Sequence, residues 1–302
     1  MKFFCLGLIG NGSWIKNYKK SINQINIFSS IDIMALADIE DVETALLLND
    51  NEWKNVIIRS QIDGVVIASS PELQTRIAPL LIQLKLPMIL EKPFGLSFQK
   101  LVNIWNMKNE VKSSILYINH YHLFHPVFRK ISSFLENQEV EKITIIDGNS
   151  GPFRRYLPPL FDWAPHGVGV ILKLMGMKSF NFKADIIYKN TQAYKQKEIW
   201  KLNFEYPNGK KGLLIVGNGF SRKIRRIRID IAGKSKPIIF ENNSIQSDEY
   251  IDLLNIKKID IKQSPMNILL EEFYNSLLTG KKDKSGSAKL AYESMRLLDS
   301  VN

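Results

Sequence analysis

Short apolar runs alternate with stretches of helical periodicity over the first 120 residues. The run at residues 3–9 is continuously apolar, which is typical of a central parallel strand buried on both faces. Strands are predicted at residues 3–9, 31–37, 62–68, 87–90 and 114–119, and helices at 14–24, 41–48, 72–84 and 98–109. Such alternation implies right-handed crossovers and a doubly wound parallel sheet.

After residue 120 the pattern changes to strands joined by short turns. Pro207-Asn208-Gly209, for example, is a good hairpin turn between two β-rich runs. Strands are predicted at residues 141–147, 182–188, 198–206, 212–216, 227–231 and 237–241, and helices at 126–136, 168–175, 266–278 and 288–298. The predicted fold class is therefore α/β, with a doubly wound domain at 1–120 and an α+β domain with a large open mixed or antiparallel sheet at 121–302.

The bulk composition narrows the class of protein. A length of 302 residues suits two domains, and 45% hydrophobic with 24% charged residues is an ordinary globular balance. The net charge is +11, but the basic runs are short and lysine is frequent throughout, which indicates a compositional bias rather than a nucleic-acid surface. A basic surface also suits a phosphate-bearing substrate.

The cysteine count and the hydropathy pattern bear on the compartment. Cys5 is the single cysteine of the sequence, so no internal disulfide can form, which fits a reducing environment. The apolar N-terminal run is short and is interrupted by a glycine-rich turn, unlike a signal peptide. No run approaches the ~20 apolar residues that cross a bilayer. We expect a soluble, cytoplasmic protein with no membrane partner.

A glycine-rich turn, Gly10-Asn11-Gly12, directly follows the first predicted strand, and after Ser13 the predicted helix begins at Trp14. This is the context that a dinucleotide-binding turn requires. The first glycine allows the tight turn, the second lets the backbone approach a pyrophosphate, and the helix N-terminus stabilises the negative charge. The third glycine of the usual motif is replaced by Ile15, which weakens the match.

Asp38 strengthens the prediction of a dinucleotide site. It ends the second predicted strand, 26 residues after Gly12, close to the ~20 expected of a ribose-binding acid. A carboxylate there accepts hydrogen bonds from ribose hydroxyls and repels a 2′-phosphate, which favours NAD and leaves NADP open. The alternative interpretation is an ordinary loop aspartate after a strand.

Two further segments carry residues suited to catalysis. Glu91-Lys92-Pro93 lies at the end of a predicted strand, where open parallel sheets bind ligands, so Lys92 could stabilise negative charge on a substrate oxygen. Asp162 and His166 are four residues apart and can share one face of a helical turn. Histidine is the commonest general acid or base, and a nearby carboxylate can orient it.

With these residues in place, the sequence resembles the Gfo/Idh/MocA family of oxidoreductases over nearly its whole length. The matching segments are Gly7–Trp14, Ile62–Ala68, Glu91-Lys92-Pro93, and Asp162 with His166. The resemblance implies a Rossmann domain followed by a domain with a large open sheet, an NAD or NADP cofactor, and sugar, sugar-nucleotide or cyclitol substrates. It implies that Lys92, Asp162 and His166 form the catalytic centre. The expected cofactor contacts are Gly10, Asn11, Gly12, Ser13, Trp14, Asp38, Ser69, Ser70, Pro71, Glu91 and Lys92.

The sequence departs from the family pattern at three positions. Ile15 replaces a glycine, Gln74 stands where a histidine is common, and Gly167 stands where an acid is common. The first departure affects the cofactor turn and the last affects substrate contacts. None of the three removes a catalytic candidate.

Several other side chains are candidates for substrate binding. His120 and His122 would share a strand face in the segment that matches the family's crossover between domains, and no acid or cysteine lies nearby to complete a metal site. Arg154 and Arg155 could hold an anionic group, with a solvated loop pair as the equal alternative. Trp163 lies between Asp162 and His166, the two catalytic candidates of the second domain. We predict no metal.

The leading hypothesis is an NAD(P)-dependent dehydrogenase or ketoreductase that transfers a hydride to or from a sugar-like carbon. One alternative is a reductase of a non-sugar substrate, as in the biliverdin reductase branch of the same fold. Another is a dinucleotide-binding regulator without turnover, which the family resemblance permits. The resemblance also implies a homo-oligomer, dimer or tetramer, formed through the sheet of the second domain.

Overall fold

A computed structural model describes residues 2–111, 114–154, 157–192, 195–256, 263–281 and 283–301. Arg155, one of the substrate-binding candidates, lies outside the described residues. The chain divides into two compact units. The first comprises Met1–His120 and Ser264–Met295, and the second comprises Tyr121–Gln263 and Arg296–Asn302.

The first unit is built on a parallel sheet flanked by helices. Its strands are β1 (Phe4–Ile9), β2 (Phe28–Asp32), β3 (Gly64–Ile67), β4 (Met88–Glu91) and β5 (Leu116–Asn119). Its helices up to His120 are α1 (Ser13–Ile25), α2 (Ile33–Leu36), α3 (Val42–Leu47), α4 (Asp50–Arg59), α5 (Pro71–Gln83) and α6 (Phe98–Glu110). Within the described residues the strand order is β2-β1-β3-β4-β5, with every pairing parallel. The doubly wound parallel sheet predicted from the sequence is confirmed.

The second strand differs from the prediction of 31–37. It ends at Asp32, because the Asp32 carboxylate accepts a 3.1 Å hydrogen bond from the backbone N–H of Ala35 and so caps α2. Ile33 and Met34 are buried in this helix, as they would be in a strand. The apolar run therefore could not distinguish the two structures.

The second unit is built on a mixed sheet. Its helices are α7 (Tyr121–Phe124), α8 (Pro126–Leu135), α9 (Pro159–Met175) and α10 (Asp248–Leu253). Its strands are β6 (Val140–Ser150), β7 (Asn181–Gln192), β8 (Lys195–Glu205), β9 (Lys211–Gly217), β10 (Gly219–Ile231), β11 (Ile238–Glu241) and β12 (Ser244–Ile245). Over the described residues the order is β12-β11-β10-β6-β9-β8-β7. Only the β6–β9 pairing is parallel there, so the predicted mixed sheet is confirmed.

Helix α9 lies close against this sheet because two glycines leave room for it. A Cβ atom on Gly167 would come within 2.5 Å of Leu214, and one on Gly212 within 2.9 Å of Ile171. The helix begins at Pro159, nine residues before the predicted start at 168, and contains Pro165, which a sequence pattern treats as a helix breaker. Its early start places both Asp162 and His166 on the same helix.

Two late helices, α11 (Pro265–Thr279) and α12 (Ser287–Asp299), return the chain to the first unit. Tyr117 Oη and Ser276 Oγ of α11 are 2.8 Å apart, and Ser287 Oγ accepts a 3.0 Å hydrogen bond from the backbone N–H of Ile118. Both contacts anchor these helices on β5. The second unit therefore lacks residues 264–295, which the 121–302 domain expected from the sequence included.

Candidate functional site

The carboxyl ends of the parallel strands bring the predicted cofactor residues to one edge of the first sheet. Gly10 follows β1, Ser69 follows β3, Glu91 ends β4 and His120 follows β5. Because these strands run in the same direction, their carboxyl ends share one edge, where doubly wound sheets bind ligands. Lys92 comes directly after Glu91 and lies at this same edge.

The glycine-rich turn leaves space above the N-terminus of α1. Gly10 has φ +140°, and a Cβ there would lie 2.3 Å from the carbonyl oxygen of Ala68. Gly12 is the N-cap of α1, makes no side-chain capping bond, and would meet nothing within 4 Å if it carried a Cβ. Ser13 and the partly exposed Trp14 form the first turn. Backbone N–H groups facing open space at a helix N-terminus fit a phosphate.

Ile15, at the third glycine position, is accommodated beneath this turn. Its side chain is buried and lies 3.0 Å from the position that a Cβ on Gly10 would take. The side chain therefore packs under the turn and leaves the space above Gly12 open.

Buried polar atoms beside the turn also fit a bound ligand. Ser70 caps α5 by accepting a 3.3 Å hydrogen bond from Leu73 N–H, and Pro71 is the first residue of that helix. By contrast, Ser69 Oγ and Gln74 Oε1 are buried without a hydrogen-bond partner among the described residues. A buried polar atom left unpaired is costly, so these two atoms suit contacts with a bound polar molecule.

Two aspartates compete for the role of ribose-binding acid. Asp32, not Asp38, lies at the carboxyl end of β2, but its carboxylate caps α2 and forms a 2.8 Å ion pair with Lys19. Asp38 is exposed, with φ 53°, in the loop after α2. That loop reaches the glycine-rich turn, where Asn11 Nδ2 donates a 3.2 Å hydrogen bond to the carbonyl oxygen of Glu40.

Glu91 is held by a buried polar network that sequence reasoning missed. Tyr18 Oη donates to Glu91 Oε1 at 2.9 Å, and Asn119 Nδ2 donates to the same oxygen at 2.8 Å. Burial raises the pKa of the Glu91 carboxyl to about 7, although both hydrogen bonds and the Lys92 ammonium oppose this shift. Burial, with the neighbouring Glu91, also raises the pKa of Tyr18 well above its ordinary value. The one sequence signal for this network is a polar residue at the end of each of β4 and β5.

Lys92 and His120 lie next to this network. The Lys92–Pro93 peptide bond is cis, and Lys92 is half-buried. His120 is buried, and its pKa is lowered to about 4 by burial and by the positive charge of Lys92. At neutral pH the His120 imidazole is therefore uncharged.

The remaining catalytic candidates lie on α9 in the second unit. Asp162 is buried and forms an ion pair with Arg154, while His166 lies one turn further along the helix and is partly exposed. The half-buried Trp163 has an indole N–H without a hydrogen-bond partner among the described residues. Lys92 belongs to the first unit and this group to the second.

His122 lies in helix α7, so the predicted strand face shared with His120 is wrong. The chain leaves β5 at Asn119 and turns into the helix at Tyr121, which separates the two histidines. The His122 ring instead lies edge-on to His166, with 6.2 Å between ring centroids. His122 and His166 therefore belong to one cluster in the second unit.

A cavity of about 310 Å³ opens beside Asp162. Its walls come from the segment between β6 and α9, from the start of α9, and from β8 and the turn after β9. The lining residues are Pro152, Phe153, Arg154, Leu157, Pro158, Pro159, Asp162, Gln196 and Asn218.

Neither a metal-ligand cluster nor a membrane-spanning helix is present in the described part of the chain. No group of three or more His, Cys, Asp or Glu side chains there is placed to hold a metal ion. None of the helices described combines the length and apolar character that crossing a membrane requires.

Comparisons with known proteins identify the fold. No family model matches the chain, and no curated protein matches it in sequence. Three similar solved structures are a myo-inositol dehydrogenase from Corynebacterium glutamicum ATCC 13032, a UDP-N-acetylglucosamine 3-dehydrogenase from Acidithiobacillus ferrooxidans, and GenD2 from gentamicin A biosynthesis in complex with NAD.

The structural likeness covers almost all of each chain at low sequence identity. The inositol dehydrogenase has a TM-score of 0.75 at 13% identity, with 99% of this chain and 96% of that chain covered. The sugar-nucleotide dehydrogenase has 0.73 at 14%, covering 100% and 97%, and GenD2 has 0.73 at 13%, covering 99% and 93%. The chain therefore has the two-part fold of these proteins, which is the fold that the sequence resemblance implied.

Proposed function

We propose that this protein is an NAD(P)-dependent oxidoreductase that transfers a hydride to or from a carbon of a sugar, sugar-nucleotide or cyclitol substrate. The observation that carries the proposal is the shared edge of the first sheet. An uncapped helix N-terminus behind a glycine-rich turn and the half-buried Lys92 both lie at that edge. Solved structures of the same fold include dehydrogenases and a complex with NAD.

The residues at this edge suit a dinucleotide. The backbone of Gly10–Trp14 would hold the pyrophosphate and Asp38 the ribose hydroxyls. The remaining cofactor contacts would be Ser69, Ser70, Pro71, Glu91 and Lys92. The open space above Gly12 and the unpaired Ser69 Oγ support this assignment. When bound, the nicotinamide supplies the hydride acceptor or donor.

The chain's own residues would handle the charge and the proton of the substrate. The Lys92 ammonium would stabilise negative charge on the reacting oxygen, worth about 10²-fold or more in rate for one preorganised donor. His166 would exchange the hydroxyl proton, and Asp162, one turn away on the same helix, would orient it. Trp163, His120, His122 and Arg154 are the proposed substrate contacts.

We extend the proposal to assembly and location. The open face of the second sheet presents the half-buried Leu213 and Ile215 of β9, which suits a homo-oligomer formed through that face. We also propose a cytoplasmic role in sugar metabolism, with no nucleic-acid partner.

A turnover assay tests the proposal. Purified protein is incubated with NAD or NADP and a panel of polyols, sugars and sugar nucleotides, and nicotinamide absorbance is followed. At least one substrate should support turnover, and Lys92→Ala should lower it about 10²-fold or more while cofactor affinity changes little. Lys54→Ala, at an exposed lysine of α4 in the same unit, is the matched control and should leave turnover unchanged.

Other outcomes separate the alternatives. Cofactor binding without turnover of any substrate favours a dinucleotide-binding regulator. Turnover of a linear tetrapyrrole alone favours a reductase of non-sugar substrates. Near-normal turnover by Lys92→Ala would leave the Glu-Lys-Pro segment with a structural role only.

A further inference from the structure

We propose that Tyr18 and Asn119 are positioning residues, which act through the Glu91 carboxylate to hold Lys92 in place for the reaction. The inference rests on the proposed function and deepens it, because it gives two residues outside the reacting centre an effect on the proposed catalytic lysine. All four residues belong to the first unit.

The Glu91 carboxylate is fixed by donors from separate elements. Tyr18 Oη of α1 and Asn119 Nδ2 of β5 both donate to its Oε1 atom, at 2.9 Å and 2.8 Å. The backbone N–H of Lys92 also hydrogen-bonds to this carboxylate. Donors that converge from a helix, from the neighbouring strand and from the next residue restrict the carboxylate to one orientation. Its bond to the Lys92 backbone makes the lysine depend on that orientation.

This network is buried, so water does not compete for its hydrogen bonds. Tyr18 is 0% exposed, Glu91 5% and Asn119 6%. Exclusion of water strengthens each bond and makes the loss of one donor costly. A buried carboxyl is itself unfavourable compared with a well-packed apolar side chain of similar volume. Packing alone therefore does not account for Glu91 at this position, whereas a role in holding Lys92 does.

The register of two strands brings the network to the strand end that carries Lys92. Glu91 pairs with Asn119 in the parallel ladder of β4 and β5, and each strand ends at that residue. Lys92 and His120 follow directly, and burial together with the positive charge of Lys92 lowers the pKa of His120. Loss of the Asn119 bond would therefore act directly on the segment that contains Lys92.

The chain on the other side of Lys92 is held by packing. Phe94 is 1% exposed, and a Cβ on Gly95 would lie 2.6 Å from Thr75 Cγ2 of α5. Lys92 is half-buried between this packed segment and Glu91. The network therefore fixes the lysine on the side where apolar packing does not.

Small displacements of a charge-stabilising group have large effects on rate. A displacement of about 1 Å can cost about 10²-fold, because the group must meet the charge where it develops. Loss of one donor to Glu91 should displace Lys92 only in part, so Asn119→Ala or Tyr18→Phe should lower kcat about 10-fold. KM should change less than kcat, because the proposed role of Lys92 is to stabilise charge that develops during the reaction.

Hydrogen exchange at the Lys92 backbone amide tests the role of the network without requiring turnover. Asn119→Ala and Tyr18→Phe should speed this exchange about 10-fold, since each loosens the carboxylate that protects the amide. Tyr18→Phe removes only a hydroxyl and keeps the ring in the core. Tyr117→Phe is the matched control, because it removes another buried hydroxyl of the first unit, 2.8 Å from Ser276 Oγ. It should leave the exchange of Lys92 unchanged.

A double-mutant cycle tests whether the network acts through the lysine. Asn119→Ala is introduced into the wild type and into Lys92→Ala, and kcat is measured at saturating cofactor. The substitution should lower kcat about 10-fold in the wild type but less than about 2-fold in Lys92→Ala, since residues that act as a unit are not additive. A purely structural role of Asn119 would give the same factor in both proteins.

The results distinguish this inference from the proposed function. Faster exchange at Lys92 in both network variants, with no substrate turned over by the wild type, upholds the role of the network in holding Lys92 and removes the oxidoreductase proposal. Unchanged exchange, or exchange that Tyr117→Phe speeds equally, overturns the inference. A fall in kcat by the same factor with and without Lys92 also overturns it and leaves the oxidoreductase proposal standing.

Discussion

Tyr18 Oη donates a 2.9 Å hydrogen bond to Glu91 Oε1, which ties helix α1 to the residue that precedes Lys92. Both side chains are buried, and Asn119 completes the network from β5. The same helix opens at the glycine-rich turn, so one hydrogen bond connects the proposed cofactor site to the proposed catalytic lysine.

Tyr18→Phe tests the role of this bond. The variant should lose about 1–2 kcal/mol of stability, because buried Glu91 loses one donor. The pKa of Glu91 should rise further, since the hydrogen bond from Tyr18 lowers it. Tyr250→Phe is the matched control, because it removes a buried hydroxyl that donates to the Lys236 carbonyl in the second unit. Tyr250→Phe should lose a similar amount of stability without changing the pKa of Glu91. An equal shift of the Glu91 pKa in both variants would contradict the role assigned to the Tyr18–Glu91 hydrogen bond.

The pH dependence of stability should show opposite contributions from Glu91 and His120. Burial raises the pKa of Glu91 from 4.5 to about 7, so the folded chain keeps a proton that the unfolded chain releases. This stabilisation is present below pH 4.5 and is lost as pH rises through 7. Relative to the wild type, Glu91→Gln should therefore gain stability with rising pH, by up to about 1.4 kcal/mol per pH unit between these values.

His120 has the opposite effect on the pH dependence of stability. Its pKa falls from 6.5 to about 4, so the unfolded chain binds a proton that the folded chain does not. The stabilisation is present above pH 6.5 and is lost as pH falls through 4. Relative to the wild type, His120→Asn should gain stability as pH falls across this window. Urea denaturation at several pH values measures both differences, and slopes of the same sign would contradict the assignment.

Cofactor preference should depend on Asp38. We expect the wild type to bind NADH more tightly than NADPH, because a 2′-phosphate would meet a carboxylate. Asp38→Asn should narrow this preference about 10-fold, whereas Asp32→Asn, which keeps an amide oxygen to cap α2, should leave it unchanged. Titration followed by nicotinamide fluorescence measures the affinities for NADH and NADPH in each protein. Loss of preference in Asp32→Asn alone would transfer the role to Asp32, and tighter NADPH binding by the wild type would refute the prediction.

His166→Asn should remove the proposed acid/base group. The expected loss in turnover is about 10²–10⁴-fold, the usual range for general acid–base catalysis. The wild-type pH profile should contain a group titrating between about pH 6 and 8, and the variant should lose that limb while cofactor binding persists. His120 does not account for such a limb, because its pKa is lowered to about 4.

A different kinetic result would assign the proton transfer to a residue other than His166. If His166→Asn raises KM and leaves the pH limb in place, His166 only positions the substrate. Lys92 and His122, whose ring lies 6.2 Å from that of His166, would then be the remaining candidates. His122→Asn, assayed in the same pH series, would distinguish these two.

The local pattern of the sequence was sufficient to predict much of the fold. Continuous apolar runs marked the buried parallel strands, and the strand-turn-helix context marked the glycine-rich turn. The position of Lys92 at a strand end followed from the same pattern. These features depend on residues close together in the chain, where the spacing of apolar and small residues records burial directly.

Specific polar contacts, some local and some between distant residues, decided the rest. The end of β2 depends on the bonds of Asp32 with Ala35 and Lys19, while Ile33 is buried in either structure. The network of Tyr18, Glu91 and Asn119 joins residues from three separate elements. The cavity likewise combines Arg154 with Gln196 of β8 and Asn218 of the turn after β9. Hydrophobic periodicity reports that a side chain is buried but not what it is buried against, so only the tertiary structure shows these polar partners.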